Sequence, residues 1–433
     1  MPAPADETAV PSPSPVNAGG ADQTGMRLYN ERLILSLARR FGQLSKIEVA
    51  RMTGLSVQST STIMNRLQSD GLLKREAPLR GRVGQPTVPV SLDPEGAFSI
   101  GLKIGRRSCD LVLVDFCGGI RRRAHRRHPY PTPDRLMQFV GDELQPLFES
   151  LTPAQRRRVA GLGVAAPFQL WSWAAEIGAP ADKMDAWRSF SIEEELARIS
   201  PVDVTLFNDA TSACAAEFFF GEGWRHRDFL YFFLGAFVGG GLVLDGALYP
   251  GRTGNAAAVG SMPVALPEGE PGPASQLIAR ASIYQLERRI KAAGRDPSSL
   301  WLTPEAWDDF GPLVEEWIDG AAYALAFASA AAMSVIDIEA IVIDGAMPFD
   351  VRERLRLRVA AQLETFDRRG LSEATIAAGS IGADARAIGG AALPLIKAFA
   401  RDRELVFKDA PGEAKRAANP PTPGRVKAAS SRA

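Results

Sequence analysis

Only three cysteines (Cys109, Cys117 and Cys214) and three histidines (His125, His128 and His226) occur in 433 residues. An odd cysteine count with no CxxC pair excludes a disulfide framework and suits a reducing cytoplasm. His125 and His128 stand three apart, but Arg121, Arg122, Arg123, Arg126 and Arg127 surround them and would repel a cation. No metal is expected there, and the stretch reads as a solvated basic edge. Long apolar runs are also missing. Residues 321–336 form the longest, are alanine-rich and end at Asp337, which is short for a membrane span and fits a buried helix better. The first 25 residues lack both a positive start and an apolar core, so residues 1–25 read as a disordered tail and not as a signal peptide. Residues 401–433, with Pro420, Pro421 and Pro423, read as a second loose tail.

Net charge is absent too: 50 basic and 50 acidic side chains cancel. Evenly spread, they would argue against a nucleic-acid partner. They are segregated instead. Residues 26–90 hold 11 Lys/Arg against 4 Asp/Glu, whereas residues 91–410 hold 34 against 42. A basic module precedes an acidic body.

Within the basic module, Leu33, Ile34, Leu37, Ala38 and Phe41 recur at helical spacing over residues 29–41, leaving Arg32, Arg39 and Arg40 toward water. Ser45 with Glu48 makes a capping box that starts a second helix, and Gly54 ends it. Ser56 caps a third helix to about Asp70, in which Thr60, Ile63, Met64 and Leu67 pack and Gln58, Ser59, Ser61, Thr62 and Arg66 point outward. Gly71 closes it. This is the layout of a winged helix-turn-helix, whose last helix enters the major groove. Short polar side chains approach base edges closely, and Gln58 can pair bidentately with adenine. The alternative is a plain solvent-exposed helix face; the positive excess favours DNA. Arg80 and Arg82, in a glycine-spaced loop over residues 80–86, suit a narrow minor groove or phosphates, the alternative being a flexible linker.

After Pro94, short β-rich runs alternate with helical stretches. Strands are expected over residues 98–104, 109–115, 158–164, 202–207, 229–234, 240–244 and 340–343. Helices are expected near 133–150, 190–199, 210–220, 274–292, 305–333, 350–367 and 383–400. An α/β body of two lobes follows. Asn208 and Asp209 end a strand before a small-residue helix, where α/β clefts bind ligands; Asp209 is equally a good N-cap. Gly239, Gly240 and Gly241 either approach a phosphate or turn a hairpin.

Four segments in order, RGRVGQP at 80–86, FNDATSACAAEFFFGEG at 207–223, LGAFVGGGLVLDGALYPGRTGNAAAVGSM at 234–262 and IGADARAIGGAALP at 381–394, give a resemblance to the ROK family (repressor, open reading frame, kinase), in its transcriptional-regulator branch. The resemblance spans about residues 26–400. It implies a two-lobed, actin-like ATPase body of sugar-kinase type behind the DNA-binding domain of residues 26–90. The first lobe would cover 91–209 and the second 210–400, the C-terminal helix returning to the first.

Several functional positions of that family are altered. Its first phosphate loop, DxGGT, reads LKIGRRS here, with Lys103 in the acidic position and Arg106 and Arg107 replacing small residues. Its second, GTGVG, reads Gly235, Ala236, Phe237, Val238, Gly239. Asn208 and Asp209 match the sugar-binding pair, and Asp209 aligns with the kinase general base; these two are the candidate effector-binding residues. The GEIGH segment, source of a sugar-binding Glu and a zinc-binding His, aligns with Ala257, Ala258, Val259, Gly260 and Ser261. The cysteine-rich zinc loop is replaced by residues 267–273, and a later sugar-binding Glu aligns with Ile278. The resemblance therefore implies no zinc, no cofactor and no catalysis. It points to a repressor of carbohydrate uptake or catabolism genes, acting as a homodimer or higher oligomer on double-stranded operator DNA, with a small-molecule effector, a sugar or sugar derivative, and no membrane association. An active sugar kinase phosphorylating a hexose with ATP is the alternative; a purely structural role with a vestigial cleft is a third.

Overall fold

The capping box forms as expected: Glu48 N–H donates to Ser45 Oγ, and the Glu48 carboxylate accepts from Ser45 N–H at 2.8 Å. It fixes the start of α2 (Lys46–Thr53), which Gly54 ends in the left-handed conformation. In the computed structural model, which describes residues 23–78, 88–174, 178–266, 275–302 and 307–400, α2 follows α1 (Gln23–Phe41) and precedes α3 (Val57–Ser69). β1 (Leu73–Arg75) then pairs antiparallel with β2 (Val90–Leu92), and Leu44 bridges to Val90. These are the strands of a wing; Arg80 and Arg82 lie outside the described residues. α1 starts at Gln23, earlier than the apolar pattern suggests, and so takes in residues 23–25 of the expected tail. Gly25 is buried and Leu28 half-buried, so the packed face runs one turn further back.

Two five-stranded sheets build the body. The first has the order β5 (Ile120–Arg127), β4 (Ser108–Asp115), β3 (Phe98–Ile104), β6 (Val159–Ala166), β7 (Val204–Asn208). β3, β4 and β5 are antiparallel neighbours, and β6 and β7 continue in parallel. A short pair, β11 (Pro263–Val264) and β12 (Ser275–Gln276), lies apart from the second sheet. That sheet repeats the scheme of the first with β10 (Ala247–Leu248), β9 (Val238–Leu244), β8 (Phe229–Leu234), β13 (Ala340–Gly345) and β14 (Thr375–Ala378). Parallel central strands are covered on both faces, which is why β8 is buried at every position instead of alternating.

Two helices fill the space between the sheets. The helix Ala385–Phe399 packs on β3, β4 and β6, the helix Asp209–Phe219 packs on β8 and β9, and the two pack against each other. Their approach is close enough that a Cβ on Gly389 would overlap the Ser212 carbonyl oxygen. The same closeness corrects the reading of Gly239, Gly240 and Gly241. They lie inside β9, not in a loop, because a Cβ on Gly239 would come 2.6 Å from Ala210 Cβ and one on Gly241 would strike Cys214. The expected helix over 274–292 is also broken: Ser282 is extended, and its Oγ accepts from Val238 N–H at 3.0 Å, separating Ile278–Ala281 from Ile283–Ala292.

Substitution of Gly389 by alanine should therefore destabilise the chain by about 1–3 kcal/mol, because backbone must move to admit the methyl group. Gly141→Ala, at an exposed position within the helix Pro133–Glu149 with open space around the added carbon, should instead stabilise by roughly 0.5–1 kcal/mol. Urea unfolding of both variants checks the opposite signs.

Candidate DNA-reading surface and interlobe cleft

α3 buries Thr60, Met64 and Leu67 and leaves Gln58, Ser59, Thr62 and Arg66 exposed. Ser59 is held by the cap, its N–H and hydroxyl both meeting Ser56 Oγ. Ser61 differs from the expectation: it is half-buried, and its Oγ accepts from Lys46 Nζ at 2.9 Å, as does Asn65 Oδ1 at 3.1 Å. Lys46 from α2 thus joins the polar face of α3, a residue that helical periodicity within α3 alone does not reveal. Arg66 lies 3.5 Å from Glu31 and 3.7 Å from Asp70, which orients its guanidinium beside the helix end.

Arg40 is exposed as expected, but Arg32 and Arg39 are half-buried, because α1 has a second packed side, against the body. Arg39 Nη1 donates to the Phe116 carbonyl at 2.7 Å, and its guanidinium lies 4.0 Å from the Phe219 ring centroid and 4.8 Å from that of Phe116. Burial pushes the pKa of Arg39 down to about 10, partly opposed by Cys117 and Asp115. Arg32 donates to the carbonyls of Ala400 and Lys397, both at 3.2 Å, at the end of the helix Ala385–Phe399. Arg40 lies over Trp224. Ile34, Leu35, Met64 and Leu67 share one apolar cluster with Phe116, Phe219, Ala391 and Leu395. The two helices between the sheets therefore end beneath the three-helix module.

Their other ends meet at the cleft. Asn208 Oδ1 accepts from Ala210 N–H at 2.9 Å and Thr211 N–H at 3.4 Å, capping its helix. Asp209 Oδ2 accepts from Arg386 Nη1 at 3.2 Å, and both side chains are largely buried. Neither Asn208 nor Asp209 lines the open cavity of about 740 Å³ between the lobes. Its walls come from the β3–β4 turn, one face of β5, Ala236, the helix Ile283–Ala292 and the start of the helix Ala385–Phe399. Here Lys103 Nζ lies 2.7 Å from Asp110, whose other oxygen is 2.7 Å from His125 Nδ1. Burial opposes ionisation of Asp110, but Lys103 and His125 prevail and bring its pKa to about 2. Burial and the neighbouring Arg386 lower Lys103 below the usual amine value while Asp110 resists. His128 Nε2 contacts the Gly105 carbonyl at 3.0 Å. Among the described residues, no cluster of His, Cys, Asp and Glu is placed to hold a metal ion.

The altered loops are brought together: Arg106 lies 4.2 Å from the Phe237 ring centroid. Val259 is buried in the second-lobe core, with Ile278 packed against the same cluster. An apolar side chain, Ile278, thus packs at a position that the family resemblance assigns to a sugar-binding carboxylate.

Residues 99–396 match the family model described as ROK family, and residues 27–74 match that of a winged helix-turn-helix DNA-binding domain. The chain belongs to the ROK family. Its relatives include the uncharacterized protein y4fQ of Sinorhizobium fredii, 27% identical over 384 residues that cover 86% of this chain and 91% of that one. The DNA-binding transcriptional dual regulator NagC of Escherichia coli is 23% identical over 254 residues, 57% of this chain and 61% of NagC. Among solved structures, a ROK family transcriptional regulator described as a homolog of the E. coli MLC protein superposes with a TM-score of 0.59 at 18% identity, covering 87% of this chain and 97% of that one. This likeness establishes the fold: a winged helix-turn-helix ahead of a two-lobed ROK body. No helix among the described residues is long and apolar enough to cross a membrane.

The Asp110 pair carries a pH dependence. The folded pKa of about 2 lies below the ordinary 3.8, so its contribution is complete above about pH 4 and is lost as pH falls toward 2. Its size is roughly 2 kcal/mol. Asp110→Asn should lower stability at pH 7 by at least that amount, since Lys103 loses its counter-charge, and should flatten the acid limb of a stability–pH curve between pH 4 and 2.

Proposed function

We propose that this ROK chain is a DNA-binding transcriptional regulator, a repressor of carbohydrate uptake or catabolism genes, whose kinase-like body is a sensor and not a catalyst. The observation that carries this reading is the seating of a winged three-helix module, polar on the outer face of α3, upon the ends of the two helices that begin at the interlobe cleft. Two copies would present two α3 helices to successive major grooves of a pseudo-palindromic operator. An effector that alters the cleft would shift the module through those helices, favouring or disfavouring the DNA-competent arrangement.

The kinase alternative meets specific obstacles. Phosphoryl transfer depends on positioned phosphates and stabilised charge, yet Arg106 and Phe237 stack where the two phosphate loops face each other. Asp209, aligned with the general base, is engaged by Arg386. Gln58, Ser59, Thr62, Arg66, Lys46 and Asn65 form the proposed reading face, with Ser61 as its support and Arg80 and Arg82 as phosphate or minor-groove contacts.

Gel-shift titration on the DNA upstream of the gene tests the reading. Gln58→Ala should cost about 1–3 kcal/mol at one base position and little elsewhere, whereas Arg82→Ala should weaken binding to all sequences and reduce the salt slope. Equal effects of both variants on cognate and random duplexes would contradict these roles. A coupled ADP-release assay over a hexose panel addresses catalysis: turnover that Asp209→Asn abolishes would establish the kinase instead.

A further inference from the structure

β5 carries the sequence Ile-Arg-Arg-Arg-Ala-His-Arg-Arg, which reads from sequence as a solvated basic edge. Strand alternation divides it. Arg123, His125 and Arg127 face the interlobe cavity, whereas Arg122 and Arg126 do not share that face, and Arg126 instead reaches Asp142 and Glu143 on the neighbouring helix. The cavity wall as a whole holds seven Lys and Arg side chains against four Asp and Glu.

The pairing within the wall leaves positive charge uncompensated. Glu287 serves two cations, Arg107 at 3.0 Å and Lys291 at 2.7 Å, and also accepts from Trp301 Nε1 at 3.2 Å. Although burial opposes its ionisation, Lys291 and Arg107 hold its carboxyl below the usual range, so it is an anion already fully engaged. Arg123 is taken by Asp384, and Lys103 by Asp110. Arg127 is exposed on the cavity face and forms no ion pair with the described residues. On the opposite wall Arg386 Nε is buried without a hydrogen-bond partner, while Nη1 of the same group holds Asp209. A concave, low-dielectric site of one sign concentrates ligands of the other, and guanidinium groups suit planar or tetrahedral oxyanions through paired N–H donors.

We infer that the interlobe cavity is an anion site that takes a small sugar-like molecule bearing a phosphate or carboxylate group, with Arg127 and Lys291 as its chief charge contacts. This rests on the regulator reading above and names the chemical class of its effector. A neutral hexose would leave the excess cations unmatched, and its hydroxyls would find three of the four wall carboxylates, Asp110, Glu287 and Asp384, each engaged by a cation in the wall, with the fourth, Asp296, accepting from Ser298. Arg123 supports the site from its pair with Asp384, which a bound oxyanion would share.

Isothermal titration of the full chain with glucose 6-phosphate, gluconate, inorganic phosphate and glucose, at constant ionic strength, tests the assignment. One or more of the anions should bind at least roughly tenfold more tightly than glucose, a difference of about 1.4 kcal/mol. A preference for glucose 6-phosphate and inorganic phosphate identifies a phosphate as the bound group, and a preference for gluconate identifies a carboxylate. Arg127→Gln should weaken the preferred anion by a similar factor, while Arg122→Gln, on the other face of the same strand, should leave it unchanged. Equal affinity for glucose and the anions, no binding of any anion at millimolar concentration, or equal effects of the two arginine variants would overturn the site. Gel shifts on the same preparations keep the two ideas apart. Retained DNA binding with no anion preference sinks the anion site alone, and anion binding without DNA binding sinks the regulator reading.

Discussion

The guanidinium of Arg39 ties the two halves of this molecule together beside the apolar cluster that they share. Arg39 projects from the DNA-binding module into a pocket made by Phe116 at the end of β4 and by Phe219 and Phe220 at the end of the inter-sheet helix. Each cation–π contact of this kind is worth about 0.5–2 kcal/mol, and the bond to the Phe116 carbonyl satisfies an acceptor that would otherwise lack this donor. Desolvation works against the charge, but a pKa of about 10 leaves the group ionised at neutral pH. Without this contact, and that of Arg32 with the last carbonyls of the helix Ala385–Phe399, only the shared apolar cluster, which is not directional, would orient the three-helix module on the body.

From that anchor the architecture leads back to the cleft. Both inter-sheet helices begin where Asp209 meets Arg386 and finish under α1. Their glycine-lined approach leaves little room for one to move without the other, since packed interiors transmit displacement instead of absorbing it. The basic wall of the cavity lies at the start of this pair. At the same place Arg106 rests on the Phe237 ring and Asp209 is held by Arg386, the two contacts on which the proposed non-catalytic reading rests.

Sequence patterns reveal those features that local physics decides. Ser45, Glu48 and Gly54 delimit α2 because capping depends on neighbouring atoms, and β8 is legible because a doubly covered strand is apolar throughout. What escapes is set by residues distant in the chain. Nothing in the periodicity of α1 distinguishes Arg39, packed over the Phe219 ring, from an arginine in water. Gly239 and Gly241 suggest a loop until the helix that presses on them is known. Asn208 and Asp209 stand where a ligand pair is expected, but Asn208 serves its own helix and Asp209 serves Arg386, which is 177 residues away. β5 was open to a fuller reading, since alternation alone places Arg123, His125 and Arg127 on one face; the density of arginine masked the strand.

The most direct test measures DNA affinity when the anchor alone is removed. Fluorescence anisotropy of a labelled duplex from the gene's upstream region, titrated with the full chain and its Arg39→Ala variant, separates orientation from charge. The account predicts affinity roughly tenfold or more lower for the variant, with an unchanged salt slope because the phosphate-contacting surface is intact. Equal affinity of the two proteins would contradict it.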